Sequence, residues 1–414
     1  MTTLLAILLS LSSPIQSPLQ PVMEAFELEF PSYAVPLALP YQGNLPNRST
    51  TLSKVNKGLS WFQDRQAELA KIIPSTLPAD ERLEYHILQF ETQLNLERLQ
   101  LYQDWLVTDA KPIEGSIYQQ HQGPTWYQFL LHSWTGTFLT PDSIQALGYH
   151  MADRFAEGRK QNQHTAGPDW FTQSEVDIVT RYQHLNEEAV SQIPKLFPGG
   201  DHMAPLKYEP VANPRMGNVP GYYNANTLYY NTFRSTYDLR QCDWLYIHEG
   251  IPGHHYQLSY ERSLEVPPYR QSWAYAGYRE GWAAYVEEES VGLALGLYQS
   301  AATRHSMYEW NLIRAVRLVL DVGLNYYGWD TDQAMEVWNQ YLPELSEVGH
   351  REIERMLRWP AQVVSYLVGA HQIVQLRTQQ MQVQGPEFSL LAFHARVLSQ
   401  GSIPVCTLAQ LFES

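Results

Sequence analysis

The run His248-Glu249-Gly250-Ile251-Pro252-Gly253-His254-His255 constrains this chain more than any other stretch, because a helix cannot pass through it unbroken. Helical apolar spacing returns at Trp244 and dominates to about residue 400. Inside that stretch Pro252 lacks a backbone donor, and its ring collides with the carbonyl four residues back, that of His248. In a regular helix the step from His248 to His254 climbs about 9 Å, and the step to His255 about 10.5 Å. Two imidazoles so far apart cannot share one metal ion, whose ligands lie within about 2.0–2.2 Å of it. The usual helical solution places two histidines four residues apart with a Glu after the first. Here the same residue types are present together with the break needed to bring them together. The expectation is a helix distorted at Pro252-Gly253, with His248 and either His254 or His255 on a metal and Glu249 as general base.

A third ligand would come from a following helix, roughly 25 residues on. The segment Gly277-Tyr278-Arg279-Glu280-Gly281-Trp282-Ala283-Ala284-Tyr285-Val286-Glu287 offers Glu280, with Ala283 and Ala284 permitting close packing. Glu287 falls on the same face two turns later, where it would hold a ligand in place. Further on, Arg314, Arg317, Asp321 and Asn325 form one stripe of an otherwise apolar helix. Such a stripe must be paired. An Asp321–Arg pair is expected there, orienting ligands or, through Arg317, gripping a substrate carboxylate. Gln362 and Tyr366 are four apart, so both would face the cleft, Gln362 touching substrate and Tyr366 donating to an oxyanion. The aromatic stretch 222–233 reads as one or two strands, and the tyrosines of 222–230, Tyr229 among them, as a substrate-pairing edge or as plain strand residues.

The rest of the chain frames this site. Its 414 residues are 44% apolar and 17% charged, a globular balance. A net charge of −15 argues against nucleic acid and against anionic membranes as partners. Two cysteines, Cys242 and Cys406, make no disulfide framework or Cys-x-x-Cys pattern and read as buried free thiols. Residues 4–11 are apolar but too short to span a bilayer, and no Lys or Arg precedes Arg48. They read as a first helix, placing the protein in the cytoplasm; export to the periplasm is the alternative if they form a signal peptide. Helices are expected from Leu52 and over 82–105, 144–161 and 173–193, then a Pro-, Gly- and Asn-rich stretch over 197–240. The fold class is mainly α with a small β-sheet beside a deep cleft. A single domain over 1–414 is expected, with a lead-in over 1–50 and a catalytic core over 200–370.

The motif His-Glu-x-x-Pro-Gly-His-His, followed by Glu280-Gly281-Trp282-Ala283, is similar to the bacterial family called domain of unknown function 885. The similarity extends to residues 314–324 and 358–369. It implies a large helical metallopeptidase of the gluzincin type holding one zinc ion, although His and carboxylate donors suit other divalent metals too. By that resemblance His248, His254 and Glu280 are ligands and Glu249 is the base. The Gly253-His254 pair is similar to the Gly-His of oligopeptidases with a shorter motif, which favours His254 over His255. His255, Asp321 and Glu287 remain as supporting groups or alternative ligands. Asn325 stands where the family has His, and Ala361 where it has Gly. The implied activity is hydrolysis of short peptides, of carboxypeptidase or oligopeptidase kind. The rival readings are a metal-dependent amidohydrolase on a non-peptide amide and a non-catalytic peptide-binding protein.

Overall fold

Side-chain caps fix where many of the helices begin. Thr51, Thr140, Ser174 and Ser300 each accept a hydrogen bond from a backbone N–H in the first turn of the helix that follows. Asp330 and Gln333 close a reciprocal capping box. The computed structural model describes residues 17–33, 51–110, 115–163, 167–200, 203–217, 219–271 and 273–413. The apolar residues 4–11 and the turn-rich residues 41–50 lie outside the described residues.

In chain order the described elements are α1 (Gln20–Leu28), α2 (Phe30–Tyr33), α3 (Leu52–Leu69), α4 (Ala79–Val107), α5 (Gly123–Thr135), α6 (Pro141–Gln161), β1 (Phe171–Thr172) and α7 (Glu175–Leu196). The strands β2 (Lys207–Pro210), β3 (Gly221–Asn224), β4 (Thr227–Tyr230) and β5 (Tyr237–Asp238) come next. The remainder is helical: α8 (Cys242–Glu249), α9 (His254–Glu261), α10 (Ala276–Val286), α11 (Glu289–Ala294), α12 (Ala301–Asn325), α13 (Thr331–Tyr341), α14 (Ser346–Arg358), α15 (Ser365–Gln384) and α16 (Leu390–Leu398). About 71% is helical and 4% strand, a mainly α fold with a small sheet.

Helix α12 is the axle. Every residue from 311 to 325 is buried, so the helix must be satisfied on all sides. It crosses α6 closely at Gly148, where a Cβ would lie 2.8 Å from Val319 and 2.9 Å from Leu318. The polar residues of its stripe find their main partners on other elements, with one longer bond inside the stripe, from the Asn325 amide to Asp321 at 3.4 Å. Arg314 is taken by Glu287 and Arg317 by Glu352. Asn325 donates to the Met356 carbonyl.

The expected Asp321–Arg pair does not form. Asp321 instead accepts from the Tyr127 hydroxyl (2.7 Å) and from the N–H of Ala361 (2.9 Å). Ala361 has φ +66°, the left-handed region that glycine adopts most easily. Asp321 therefore anchors a strained turn rather than serving the cleft. Burial pushes its carboxyl up to about 7, against the bonds from Tyr127 and Ala361.

The sheet has the order β2-β4-β3, with β2 parallel and β3 antiparallel to β4. Tyr229 thus sits on the central strand, its ring stacked on Tyr222 at 4.8 Å, and is not on the edge expected for it. The edge facing the cleft is β3. Cys242 is buried as expected. Cys406 is exposed, because its neighbours Val405 and Thr407 take the inward positions of their short helical turn. Among the described residues no helix is long and apolar enough to cross a membrane.

Candidate metal centre

Helix α8 ends one residue after His248. Gly250, at φ −100° and ψ −117°, takes the chain out of the helix while its N–H still reaches the Tyr246 carbonyl at 2.7 Å. The chain turns through Ile251, Pro252 and Gly253 and begins α9 at His254. A Cβ on Gly253 would lie 2.0 Å from the His248 carbonyl oxygen and 2.2 Å from that of Ile247, so only glycine fits where the two helices meet. The Pro252 carbonyl accepts from the Trp282 indole N–H at 2.8 Å, pinning the turn to α10. The break replaces the long climb of a continuous helix with a corner, and the His248 and His254 rings stand 4.8 Å apart and nearly perpendicular.

Helix α10 brings Glu280 to the same point. Its Oε2 lies 3.5 Å from His248 Nε2 and 3.4 Å from His254 Nε2. This approach depends on glycines rather than on Ala283 and Ala284. A Cβ on Gly281 would be 2.6 Å from the Cα of Gly369 in α15, and one on Gly277 2.0 Å from the Thr135 carbonyl of α5. Among the described residues, His248, His254 and Glu280 are the one group of three whose ligand atoms all fall within 4.8 Å of one another. Four-coordinate zinc with bonds of about 2.0–2.2 Å needs donor separations of roughly 3.3–3.6 Å. The donor types and the two measured separations fit such an ion.

Behind the imidazole of His248 sits a buried ion pair. Glu287 Oε1 is 2.5 Å from His248 Nδ1, and both Glu287 oxygens accept from Arg314 Nη1 at 2.7 and 2.6 Å. With Nδ1–H donating to Glu287, Nε2 presents its lone pair to the site. Burial alone would lower the pKa of His248, but Glu287 and then Glu280 outweigh it and push it up to about 9. Burial likewise works against the charge of Glu280, yet His254 and His248 hold its carboxyl well below the usual range. Glu287 is held low by Arg314 and His248 in the same way. The negative field that draws a proton onto His248 would equally draw a cation.

These groups open onto a cleft of about 410 Å³, which Glu249 and Tyr366 also line. The Tyr366 ring stacks on His248 with centroids 6.0 Å apart and lies beneath the Arg314 guanidinium at 5.3 Å. His255 is turned away: it is fully buried, with Nε2 2.8 Å from the Ala204 carbonyl and Nδ1 3.2 Å from the Tyr223 hydroxyl. Gln362 does not line the cleft. Its amide bridges Arg355 Nη2 (2.7 Å) to the Tyr366 hydroxyl (3.3 Å), so it braces the tyrosine instead of meeting substrate. Arg317 does line the cleft, already paired with Glu352 at 2.8 Å. Of the tyrosines 222–230 read as a substrate-pairing edge, Tyr222 and Tyr223 of β3 stand in the wall beside Gly221, while sequence reasoning missed the stacked Trp244–Trp310 pair at 4.6 Å, with Arg314 and Arg317 over Trp310. It also left Arg355 out, for which the i, i+4 placement beside Arg351 was the available signal.

Fold and site together define a mainly α protein with a His–His–carboxylate cluster suited to a metal ion and a second carboxylate, Glu249, in the same cleft. The chain belongs to the family described as "Bacterial protein of unknown function (DUF885)", whose sequence model matches residues 96–411. Two solved structures resemble it. One, described as a "putative lipoprotein" from Colwellia psychrerythraea, has a TM-score of 0.66 and 20% identity, covering 89% of this chain and 70% of that one. The other, described as a "putative lipoprotein of unknown function" from Shewanella oneidensis, has a TM-score of 0.55 and 18% identity, covering 89% of this chain and 74% of that one. Likeness at such identity speaks to the fold. No curated protein matches the chain.

Proposed function

We propose that this protein is a zinc-dependent hydrolase of the gluzincin type that cuts amide bonds in short peptides, with the metal held by His248, His254 and Glu280. The observation that carries the reading is the convergence of the two imidazole Nε2 atoms on Glu280 Oε2, at 3.5 and 3.4 Å, in a cleft that also holds Glu249. When bound, the ion supplies polarisation of the scissile carbonyl and a water of lowered pKa. Glu249 takes the proton of the attacking water and passes it to the leaving amine. The Tyr366 hydroxyl, held by Gln362, donates to the oxygen on which negative charge develops. Glu287 and Arg314 fix the orientation and tautomer of His248. The unpaired side of β3 can hydrogen-bond an extended peptide along the cleft wall. The lipoprotein descriptions of the two structural relatives support export of this chain over the cytoplasm, which fractionation of cells producing it from its own gene tests.

The test is a Glu249→Gln substitution in zinc-loaded protein, read by mass spectrometry of a digested peptide library. The expected outcome is retained zinc with hydrolysis reduced by about 10²–10⁴-fold. A wild-type protein that carries zinc yet cuts no peptide, or a variant as active as wild type, would sink the proposal.

A further inference from the structure

Three arginines contributed by two neighbouring helices line the cleft, in a chain whose net charge is −15. Arg317 of α12 and Arg351 and Arg355 of α14 all line it, with Glu352 among them. Glu352 is committed to Arg317, at 2.8 Å, and stands 4.0 Å from Arg355. Arg355 instead donates Nη2 to the neutral carbonyl of Gln362 at 2.7 Å. One carboxylate thus serves two guanidiniums, Arg317 closely through Oε1 and Arg355 at the longer distance through Oε2, and the Arg355 side chain keeps 30% of its surface open. A guanidinium that has spent one donor on a neutral amide retains a second edge for a planar anion.

The bridge through Gln362 also sets a distance. Arg355 Nη2 bonds Gln362 Oε1, and Gln362 Nε2 is 3.3 Å from the Tyr366 hydroxyl. With ordinary amide dimensions the guanidinium lies no more than about 8 Å from that hydroxyl. An extended peptide advances about 3.3–3.6 Å per residue. A scissile carbonyl at Tyr366 and a terminal carboxylate at Arg355 thus leave room for one or two residues between them.

We infer that Arg355 binds the C-terminal carboxylate of the substrate, so that the protein removes one or two residues from the C-terminus of peptides. The inference rests on the hydrolase reading for the cut but not for the binding. Gln362 links the two events, since the residue that holds Arg355 also holds Tyr366.

Binding is tested on zinc-loaded Glu249→Gln protein, immobilised and exposed to a randomised pool of N-acetylated tripeptides, half free acids and half C-terminal amides. Retention is read by mass spectrometry. The free acids should be retained about ten- to a hundredfold over the amides. Adding Arg355→Met should bring that ratio near one, and Arg355→Lys should restore part of it. Equal retention of acids and amides, retention of neither, or a preference untouched by Arg355→Met would overturn the inference. Digestion of the same pool by wild-type protein is scored separately. A carboxylate preference without cleavage leaves the Arg355 site standing and removes the hydrolase. Cleavage of acids and amides alike keeps the hydrolase and removes the Arg355 site.

Discussion

Replacing Glu287 by Gln keeps the shape of the side chain and removes its charge from the most enclosed part of the centre. Glu287 has no exposed surface, and Arg314 is 2% exposed. Two things follow from the bonds it makes. Arg314 loses its only carboxylate among the described residues and remains buried, a loss of about 3–5 kcal/mol for a broken buried pair. A glutamine whose carbonyl turns to Arg314 then faces His248 Nδ1 with an amide N–H₂, which cannot accept from Nδ1–H. The imidazole is driven toward the tautomer whose proton sits on Nε2, the atom that must bind the metal. Loss of such an orienting carboxylate lowers metal affinity about 10–100-fold, or about 1.4–2.8 kcal/mol. Urea unfolding of the metal-free protein reads the first effect. Zinc competition against a chromophoric chelator reads the second. A Glu287→Gln protein with wild-type stability and wild-type zinc affinity would refute the role assigned to Glu287 and Arg314.

Three further outcomes are expected. Gly253→Ala should cost about 3 kcal/mol or more and abolish stoichiometric metal binding, since its Cβ would stand 2.0 Å from the His248 carbonyl oxygen; normal melting with full metal content would contradict the corner described for the motif. Tyr366→Phe should lower kcat by about 10²–10³-fold while leaving metal content unchanged, and an unchanged kcat would remove Tyr366 from the reaction. His394 is buried with Nδ1 on the Leu196 carbonyl and Nε2 facing the Tyr285 hydroxyl, and burial pushes its pKa down to about 3. It stays neutral in the folded chain while the unfolded chain protonates near 6.5, so stability falls as pH drops from 6.5 toward 3, by about 2 kcal/mol at pH 5. His394→Gln should flatten that part of the stability profile, and an unchanged slope would contradict the assignment.

Much of the site was legible because it depends on local rules. Proline sterics at Pro252 locate the helix break from sequence alone, and the seven-residue spacing of Glu280 and Glu287 puts both on one face of α10, one toward the metal cluster and one behind His248. The helix start at Ala79 was equally readable from Pro78 and the acids Asp80 and Glu81, whereas the start at Pro141, fixed by the Thr140 cap, lies three residues before the Ile144 expected from apolar spacing. What failed was the choice of partner over long separation. The stripe on α12 announced that Arg317 and Asp321 need partners, but not that these are Glu352 on α14 and Tyr127 on α5. Periodicity likewise shows that residues 222–230 form strands without showing which strand is the edge. That was decided by β2, which pairs with β4 from the far side and leaves β3 to face the cleft. The close crossing of α10 and α15 was written in Gly277, Gly281 and Gly369, yet its consequence for Glu280 appears only when the two helices meet.

The most direct test of the metal centre is the metal content of the purified protein after zinc supplementation, compared with single substitutions of its histidines and Glu280. One zinc per chain is expected for wild type, retained in His255→Gln and lost in His248→Gln, His254→Gln and Glu280→Gln. A well-folded wild-type protein holding no stoichiometric metal, or one that loses it through His255→Gln and keeps it through His254→Gln, would contradict the centre described here.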